Sequence, residues 1–206
     1  MRITVEAKTA TRERILETAT RLLMGSGWNG TTTRDIAAAA GIATGTLFNY
    51  FPTKEAIAAT LISDALQRGA HQFSLARDAN NSLAADLFSL IWTGLSHLRE
   101  YRKFLAPAAE TIFSPLARSS PHSPGDSIRV DHLELVQATV IDHGFPMPLS
   151  PVTMQLYWTL YLGVFAFWAA DESPGQEDTL ALLDQSLQLF VASLNSNQGK
   201  GTYEHQ

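Results

Sequence analysis

Apolar residues recur along this chain at helical spacing, and no run alternates as a strand would. Ile15, Leu16, Ala19, Leu22 and Leu23 form one stripe, which predicts a first helix over residues 9–25, stopped by Gly25-Ser26-Gly27. After the turn Trp28-Asn29-Gly30, Thr32 and Asp35 have the spacing of a capping box, with Thr33 as a competing cap. A second helix is expected from Thr33 to Ala40, ended by Gly41, and a third over 44–50. Phe51-Pro52-Thr53 breaks the chain, because proline disfavours helix at the residue before it. Thr53 then caps a fourth helix that starts near Lys54 and carries Ile57, Leu61 and Ala65 four residues apart.

Beyond it, helices are expected over 83–101, 102–116 (with Pro107 as a kink), 128–143, 152–170 and 177–194. The stretches 119–127 and 144–151 read as loops and 173–175 as a turn. The fold class is therefore all-α, about nine helices. The division is a three-helix head over residues 1–54, a helical body over 55–198 and a disordered tail over 199–206.

Composition narrows the function. The 206 residues include no cysteine, which excludes disulfides, thiolate metal sites and cysteine nucleophiles and fits a cytoplasmic protein. The N-terminal residues Met1 to Glu6 lead into charge rather than an apolar core, so no signal peptide is read. The uncharged run from Val152 to Ala170 approaches membrane-spanning length, but it contains Thr153, Gln155 and Thr159 and lacks basic anchors. It reads as a buried helix. The net charge of −5 hides an asymmetry: residues 1–54 carry seven Lys/Arg against four Asp/Glu, and residues 55–206 carry eight against sixteen. A basic head on an acidic body suits a nucleic-acid partner at one end.

The chemistry of the head agrees. Two short helices joined by Gly41-Ile42-Ala43 have the layout of a helix-turn-helix, whose second helix enters the major groove. Leu47, Phe48 and Phe51 are expected to pack on Ile36, Ala37, Leu22 and Leu23, leaving Gly45, Thr46, Asn49 and Tyr50 outward. Glycine inside a helix costs about 1 kcal/mol against alanine, so Gly45 makes sense where a DNA strand must approach the backbone. Thr46 offers a hydroxyl for phosphate and a methyl for thymine, and Asn49 can pair bidentately with adenine. Tyr50 can stack or donate to phosphate, and Arg34 can reach guanine or phosphate. Lys54, at a helix start, suits a phosphate. The alternative at this point is a small helical subdomain with a polar solvent face.

Residues 12–61 resemble the DNA-binding domain of the tetracycline-repressor (TetR) family. The signature stands as Arg14-Ile15-Leu16, Gly27, and TTTRDIAAAAGIATGTLFNYFPTKEAI from Thr31 to Ile57. The resemblance implies a DNA-binding transcriptional regulator, by family habit a repressor rather than an activator. Arg34 matches a base-reading position, Thr44, Gly45, Thr46 and Asn49 match recognition-helix contacts, and Thr33, Tyr50 and Lys54 match phosphate contacts. The chain departs from the family at Ala43, where serine usually caps the recognition helix, and at Phe48, where tyrosine is frequent. At the first, either Thr44 takes over or the cap is lost; at the second, a hydroxyl contact to phosphate is missing.

In the body, Leu180, Leu183, Leu187, Phe190 and Leu194 step three and four apart, a seam for a partner helix. The preceding helix is apolar nearly all round, with Trp158 and Phe165 as further interface candidates. The resemblance implies that these two helices form a four-helix homodimer interface, so that two heads read the half-sites of a near-palindromic operator. It also implies a small-molecule effector, of identity unknown, in a pocket of the body. Candidate lining residues are Phe88, Trp92, Tyr101, Phe104, Phe113, Tyr157 and Tyr161, with His97, His132 and His143 as polar contributors. No cofactor, metal site or catalytic motif is read. Asp131-His132 and Asp142-His143 are adjacent pairs, which do not face each other on a helix. A helical protein-interaction module without DNA binding is the remaining alternative.

Overall fold

The computed structural model describes residues 4–113, 124–145 and 148–201, side chains excepted at 124 and 197–201. Among them the chain forms nine α-helices: α1 (Val5–Ser26), α2 (Thr33–Ala39), α3 (Thr44–Phe48), α4 (Lys54–Ala76), α5 (Leu83–Leu98), α6 (Arg102–Ile112), α7 (Pro124–Asp142), α8 (Pro151–Ala170) and α9 (Glu177–Gly201). No strand occurs among the described residues. The expected all-α class is what the chain adopts.

Several boundaries differ from expectation for local reasons. α1 starts four residues early because Thr4 caps it, its Oγ1 accepting from the Ala7 N–H at 3.2 Å. The added residues are exposed, so no apolar stripe marks them. α3 is shorter than expected, with Asn49 as its C-cap. α5 stops at Leu98 and a single 3-10 turn, Arg99–Tyr101, leads into α6. α6 ends at Ile112, with Phe113 already outside helical geometry; residues 114–116 of its expected span lie outside the described residues. Of the expected loop 119–127, residues 124–127 are helical: proline tolerates the first helical position and Asp126 suits the first turn. Residues 119–123 lie outside the described residues, as do 146 and 147 of the second expected loop. That loop delivers Ser150, whose Oγ accepts from the Thr153 N–H at 3.1 Å and caps α8. α9 remains helical through Gly201, past the expected start of the tail; residues 202–206 lie outside the described residues.

The chain divides into two compact units. The first takes residues 1–65 and 98–128. In it α1 packs on α2 and on α6, and α2 packs on α3. Its buried residues include Ile15, Leu16, Ala19, Leu23, Ile36, Ala37, Leu47, Phe51 and Ile57. The second unit takes residues 66–97 and 129–206 and is built on the pairing of α8 with α9. Its core holds Leu87, Leu95, Val136, Tyr157, Trp168, Leu183 and Phe190.

Two features fix the second unit internally. Asp86, buried near the start of α5, accepts hydrogen bonds from Arg77 Nε (2.6 Å), His143 Nε2 (2.9 Å) and Asn81 Nδ2 (3.0 Å). Burial by itself would raise the Asp86 pKa, but the bonds from His143, Arg77 and Asn81 outweigh it and hold the carboxyl below its ordinary range. Arg77 also reaches Asp142 at 2.5 Å, so the ends of α4 and α7 meet the start of α5. Further along, α4 and α5 cross at Gly69 and Gly94. A Cβ on Gly69 would stand 2.7 Å from Gly94 Cα and 2.8 Å from its nitrogen, closer than non-bonded atoms allow.

Gly69→Ala therefore meets backbone, not a yielding side chain. Its gain in helix propensity, about 1 kcal/mol, is outweighed by overpacking of about 1–3 kcal/mol. Urea unfolding is expected to show a net loss for Gly69→Ala. The loss should be smaller for Gly94→Ala, whose Cβ meets only the end of the Leu66 side chain.

Candidate nucleic-acid interface

The head is assembled from caps and turns. Thr32 and Asp35 form the expected capping box. The Asp35 N–H donates to Thr32 Oγ1 at 3.2 Å, while Asp35 Oδ2 accepts from the Thr32 N–H at 2.9 Å and its hydroxyl at 2.6 Å. The Thr32 hydroxyl first, and its N–H second, hold the Asp35 carboxyl below its ordinary pKa. α2 ends in a Schellman motif: the Gly41 N–H donates to Ala38 O (3.1 Å) and the Ile42 N–H to Ala37 O (3.0 Å). Gly41 has φ of +68°, the left-handed conformation this motif requires. The turn aims α3 away from α2, as a helix-turn-helix demands.

α3 begins at Ala43, which makes no side-chain cap hydrogen bond. Of the two outcomes left open by the sequence, the cap is lost and Thr44 does not replace it. What holds α3 is Leu47, fully buried, and Phe51 one turn on. Phe48 corrects the expectation: it is 47 % exposed and does not share the inward face. Leu47 and Phe51, four apart, fill that face, and Phe48 lies about 100° round from Leu47. The outward side of α3 thus presents Gly45, Phe48 and Asn49, all exposed, with Thr44, Thr46 and Tyr50 half-buried beside them. A Cβ on Gly45 would meet nothing within 4 Å, so packing in the head does not demand glycine there. On α2, Arg34 is exposed and Thr33 half-buried.

Lys54 has a role that its sequence position does not suggest. Its ammonium donates to Trp28 O at 2.6 Å and Thr31 O at 2.9 Å, and lies 4.2 Å from the centre of the Trp28 ring. Two of its three donors serve the head itself, which leaves one for the expected phosphate contact. Thr53 caps α4 as expected, accepting from the Ala56 N–H at 3.1 Å.

The effector candidates fall into separate groups. In the first unit Tyr101 and Phe104 are buried with ring centres 5.8 Å apart, and Phe113 is half-buried. In the second, Phe88 and Trp92 are half-buried, while Tyr157 and Tyr161 are buried around His132. The His132 ring stacks on Tyr161 at 4.2 Å, and its Nε2 hydrogen-bonds the Tyr157 hydroxyl at 2.9 Å. Burial pushes His132 down to about 4 and Tyr161 upward, so both are neutral at physiological pH. His97 Nε2 meets Gln72 Oε1 at 2.9 Å, and His143 belongs to the Asp86 cluster, where it serves packing between helices.

The residues of the expected partner seam are covered within the chain. Leu183, Leu187, Phe190 and Leu194 on α9, with Trp158 and Phe165 on α8, are buried within a single chain, and Leu180 is half-buried. Where α8 packs on α9, that seam closes the chain's own core. The apolar residues left outward are others: Val152, Leu156, Gly163 and Phe167 on α8, with Gln155 and Thr159 exposed among them, and Leu189 and Ala192 on α9. Periodicity reveals an apolar stripe but not which neighbour covers it, and α8 carries apolar residues on nearly every side.

A helix-turn-helix whose second helix is anchored by one buried leucine and turns glycine, asparagine and threonine outward defines the chain's class, a DNA-binding regulator. Comparison with known proteins makes the class specific. Residues 15–61 match the family model of the bacterial regulatory proteins of the tetR family, and residues 87–202 match that of the tetracyclin repressor-like C-terminal domain. The chain is 33% identical over 196 residues to the HTH-type transcriptional regulator YvkB of Bacillus subtilis (strain 168), covering 91% of this chain and 98% of that one. Its fold is similar to Thermus thermophilus FadR, a TetR-family repressor solved with lauroyl-CoA (TM-score 0.67, 23% identity, 87% of this chain and 93% of that one). It is also similar to a TetR regulator from Rhodococcus sp. RHA1 (TM-score 0.69, 17% identity, 89% and 97%). This chain belongs to the TetR family of transcriptional regulators. Among its described residues no helix is long and apolar enough to cross a membrane.

Two predictions follow from the geometry. Ala43→Ser restores a cap to α3 and should raise the stability of the chain by about 1 kcal/mol in urea unfolding. His132 has a folded pKa of about 4, below the unfolded value near 6.5. The unfolded chain therefore takes up the proton first, and stability, full above pH 6.5, falls as pH drops toward 4, by on the order of 3 kcal/mol. Stability curves against pH should flatten over that window in His132→Gln.

Proposed function

We propose that this chain is a ligand-responsive repressor that binds a near-palindromic operator as a homodimer in the cytoplasm and catalyses no reaction. The observation that carries the reading is the outward face of α3, where an exposed glycine that packing does not demand stands beside Asn49 and Thr46. The DNA contacts are assigned to Thr33, Arg34, Thr44, Gly45, Thr46, Asn49 and Tyr50, with the remaining donor of Lys54. The head is residues 1–54 and the body residues 55–198. The exposed face with Val152, Leu156, Gly163, Phe167 and Leu189 is the surface for a second copy, because a group of large and small apolar residues in water is stabilised by covering.

The effector is a small molecule held in the body. FadR from Thermus thermophilus, on the same fold, is solved with lauroyl-CoA. For this chain the ligand acts by preferring one conformation, and its preference sets how far DNA binding weakens, typically 1–3 kcal/mol. α4, continuous in sequence from Lys54 to Ala76, is the route between head and body.

Selection of duplexes from a random pool, followed by titration of the winner at several salt concentrations, tests the reading. A palindromic winner and a steep fall of affinity with salt are expected. Arg34→Ala and Asn49→Ala should each lose about 1–3 kcal/mol of binding. Gly45→Ala should separate stability from function: it gains up to about 1 kcal/mol of folding stability and loses DNA affinity, because its methyl enters only the space that DNA must occupy. A folded protein with no enrichment above background would leave the helical interaction module as the reading.

A further inference from the structure

Phe48 is not part of the buried core. It carries no polar atom, lies on the outward side of the recognition helix and is the one large apolar side chain exposed there among the described residues of α3. Its neighbours on that side are Gly45 three residues before it and Asn49 one after it. In a helix a side chain leans back over the preceding turn, which here is the turn that Gly45 leaves without a side chain. A Cβ on Gly45 would meet nothing within 4 Å, the Phe48 ring included, so the backbone one turn before Phe48 is open.

We infer that Phe48 is a specificity-determining residue that reads the C5-methyl group of a thymine in each operator half-site. The inference rests on the DNA-binding reading above. A phenyl ring can neither donate to a phosphate nor pair with a base edge, and the thymine methyl is the one apolar group that base pairs present in the major groove. Placing the ring against that methyl removes apolar surface of both from water. Thr46 also offers a methyl, so a test has to assign the contact to Phe48.

The experiment uses the full chain and the duplex recovered by selection. Each thymine of a half-site is replaced, symmetrically in both, by uracil, which keeps every hydrogen-bonding group and lacks only the methyl. Affinities are measured by fluorescence anisotropy at fixed salt for the wild type, Phe48→Ala and Phe48→Tyr. At one thymine per half-site the wild type should weaken about fourfold for each methyl removed. Phe48→Ala should bind the thymine and uracil duplexes equally, and Phe48→Tyr, which keeps the ring, should retain the difference. Such non-additivity marks direct contact. Thermal unfolding of the variants should match the wild type, as substitution at an exposed position leaves the core intact. The inference is overturned if uracil is neutral at every position, or if Phe48→Ala keeps the full uracil penalty, which would assign the methyl to another side chain. Recovery of no duplex at all would overturn the DNA-binding reading and this inference together, whereas a bound duplex without a Phe48-linked methyl effect overturns the inference alone.

Discussion

The ammonium of Lys54 holds the turn between α1 and α2 to the start of α4, and the orientation of the recognition helix depends on that tie. α3 has five residues and makes too few internal hydrogen bonds to persist by itself. It inherits its direction from what surrounds it. Hydrogen bonds from a charged donor are worth about 1.5–3 kcal/mol each, and Lys54 gives two of them to Trp28 O and Thr31 O while covering the Trp28 ring. Thr31 secures the same turn from the other side, its hydroxyl within reach of Gly27 O (2.9 Å) and Leu22 O (3.2 Å). With 28–31 fixed, α2 starts at a set point, the Schellman turn at Gly41 sets the next direction, and Leu47 seats α3. Each step is local, yet together they place Gly45, Phe48 and Asn49 on one outward surface.

The parts of this design that were legible in the sequence are those in which one residue's chemistry implies one geometry. Thr32 and Asp35 three apart permit a capping box, Gly41 permits a left-handed turn, and Phe51-Pro52 forbids continued helix. The parts that were not legible involve a choice among neighbours. Phe48 looked like core because it is large and next to Leu47, but in so short a helix the apolar pattern has no second turn to show which side is inward. Lys54 looked like a free cation because its partners are backbone carbonyls, which every residue has and no side-chain pattern announces. The leucines of α9 form a seam whose partner the spacing does not name, since α8, apolar all round, covers them from the same chain.

Polar groups in the body follow the same logic of satisfaction before function. Asp86 would be costly to bury as a lone charge; three donors, the Arg77 guanidinium among them, make it a fixed point where three helices meet. His132 solves the same problem by staying neutral between Tyr157 and Tyr161. Asp171 links α8 to α9: hydrogen bonds from the side chains of Ser173 and Thr179 first, and from their N–H groups (2.8 and 3.0 Å) second, hold its pKa well below the carboxylate range. The shifted pKa values of Asp86, His132 and Asp171 thus each follow from a helix junction or a stacked core.

The separation between buried anchors and outward readers explains what likeness to other proteins carries over and what it does not. A fold of this kind requires apolar residues of suitable size at buried stripes and a few caps, and many sequences satisfy that. Solved relatives only 17–23% identical to this chain accordingly keep the architecture, with TM-scores of 0.67 and 0.69. The residues on the outward side of α3 are under no such constraint. Gly45, Phe48 and Asn49 are exposed, and replacing them leaves Leu47 and the turns in place. The outward residues can thus diverge at almost no cost in folding stability, and the fold alone does not say what they read. The same reasoning reaches the body: residues that close the core fix the helices, whereas the exposed faces of α8 and α9 are free to set what the chain assembles with.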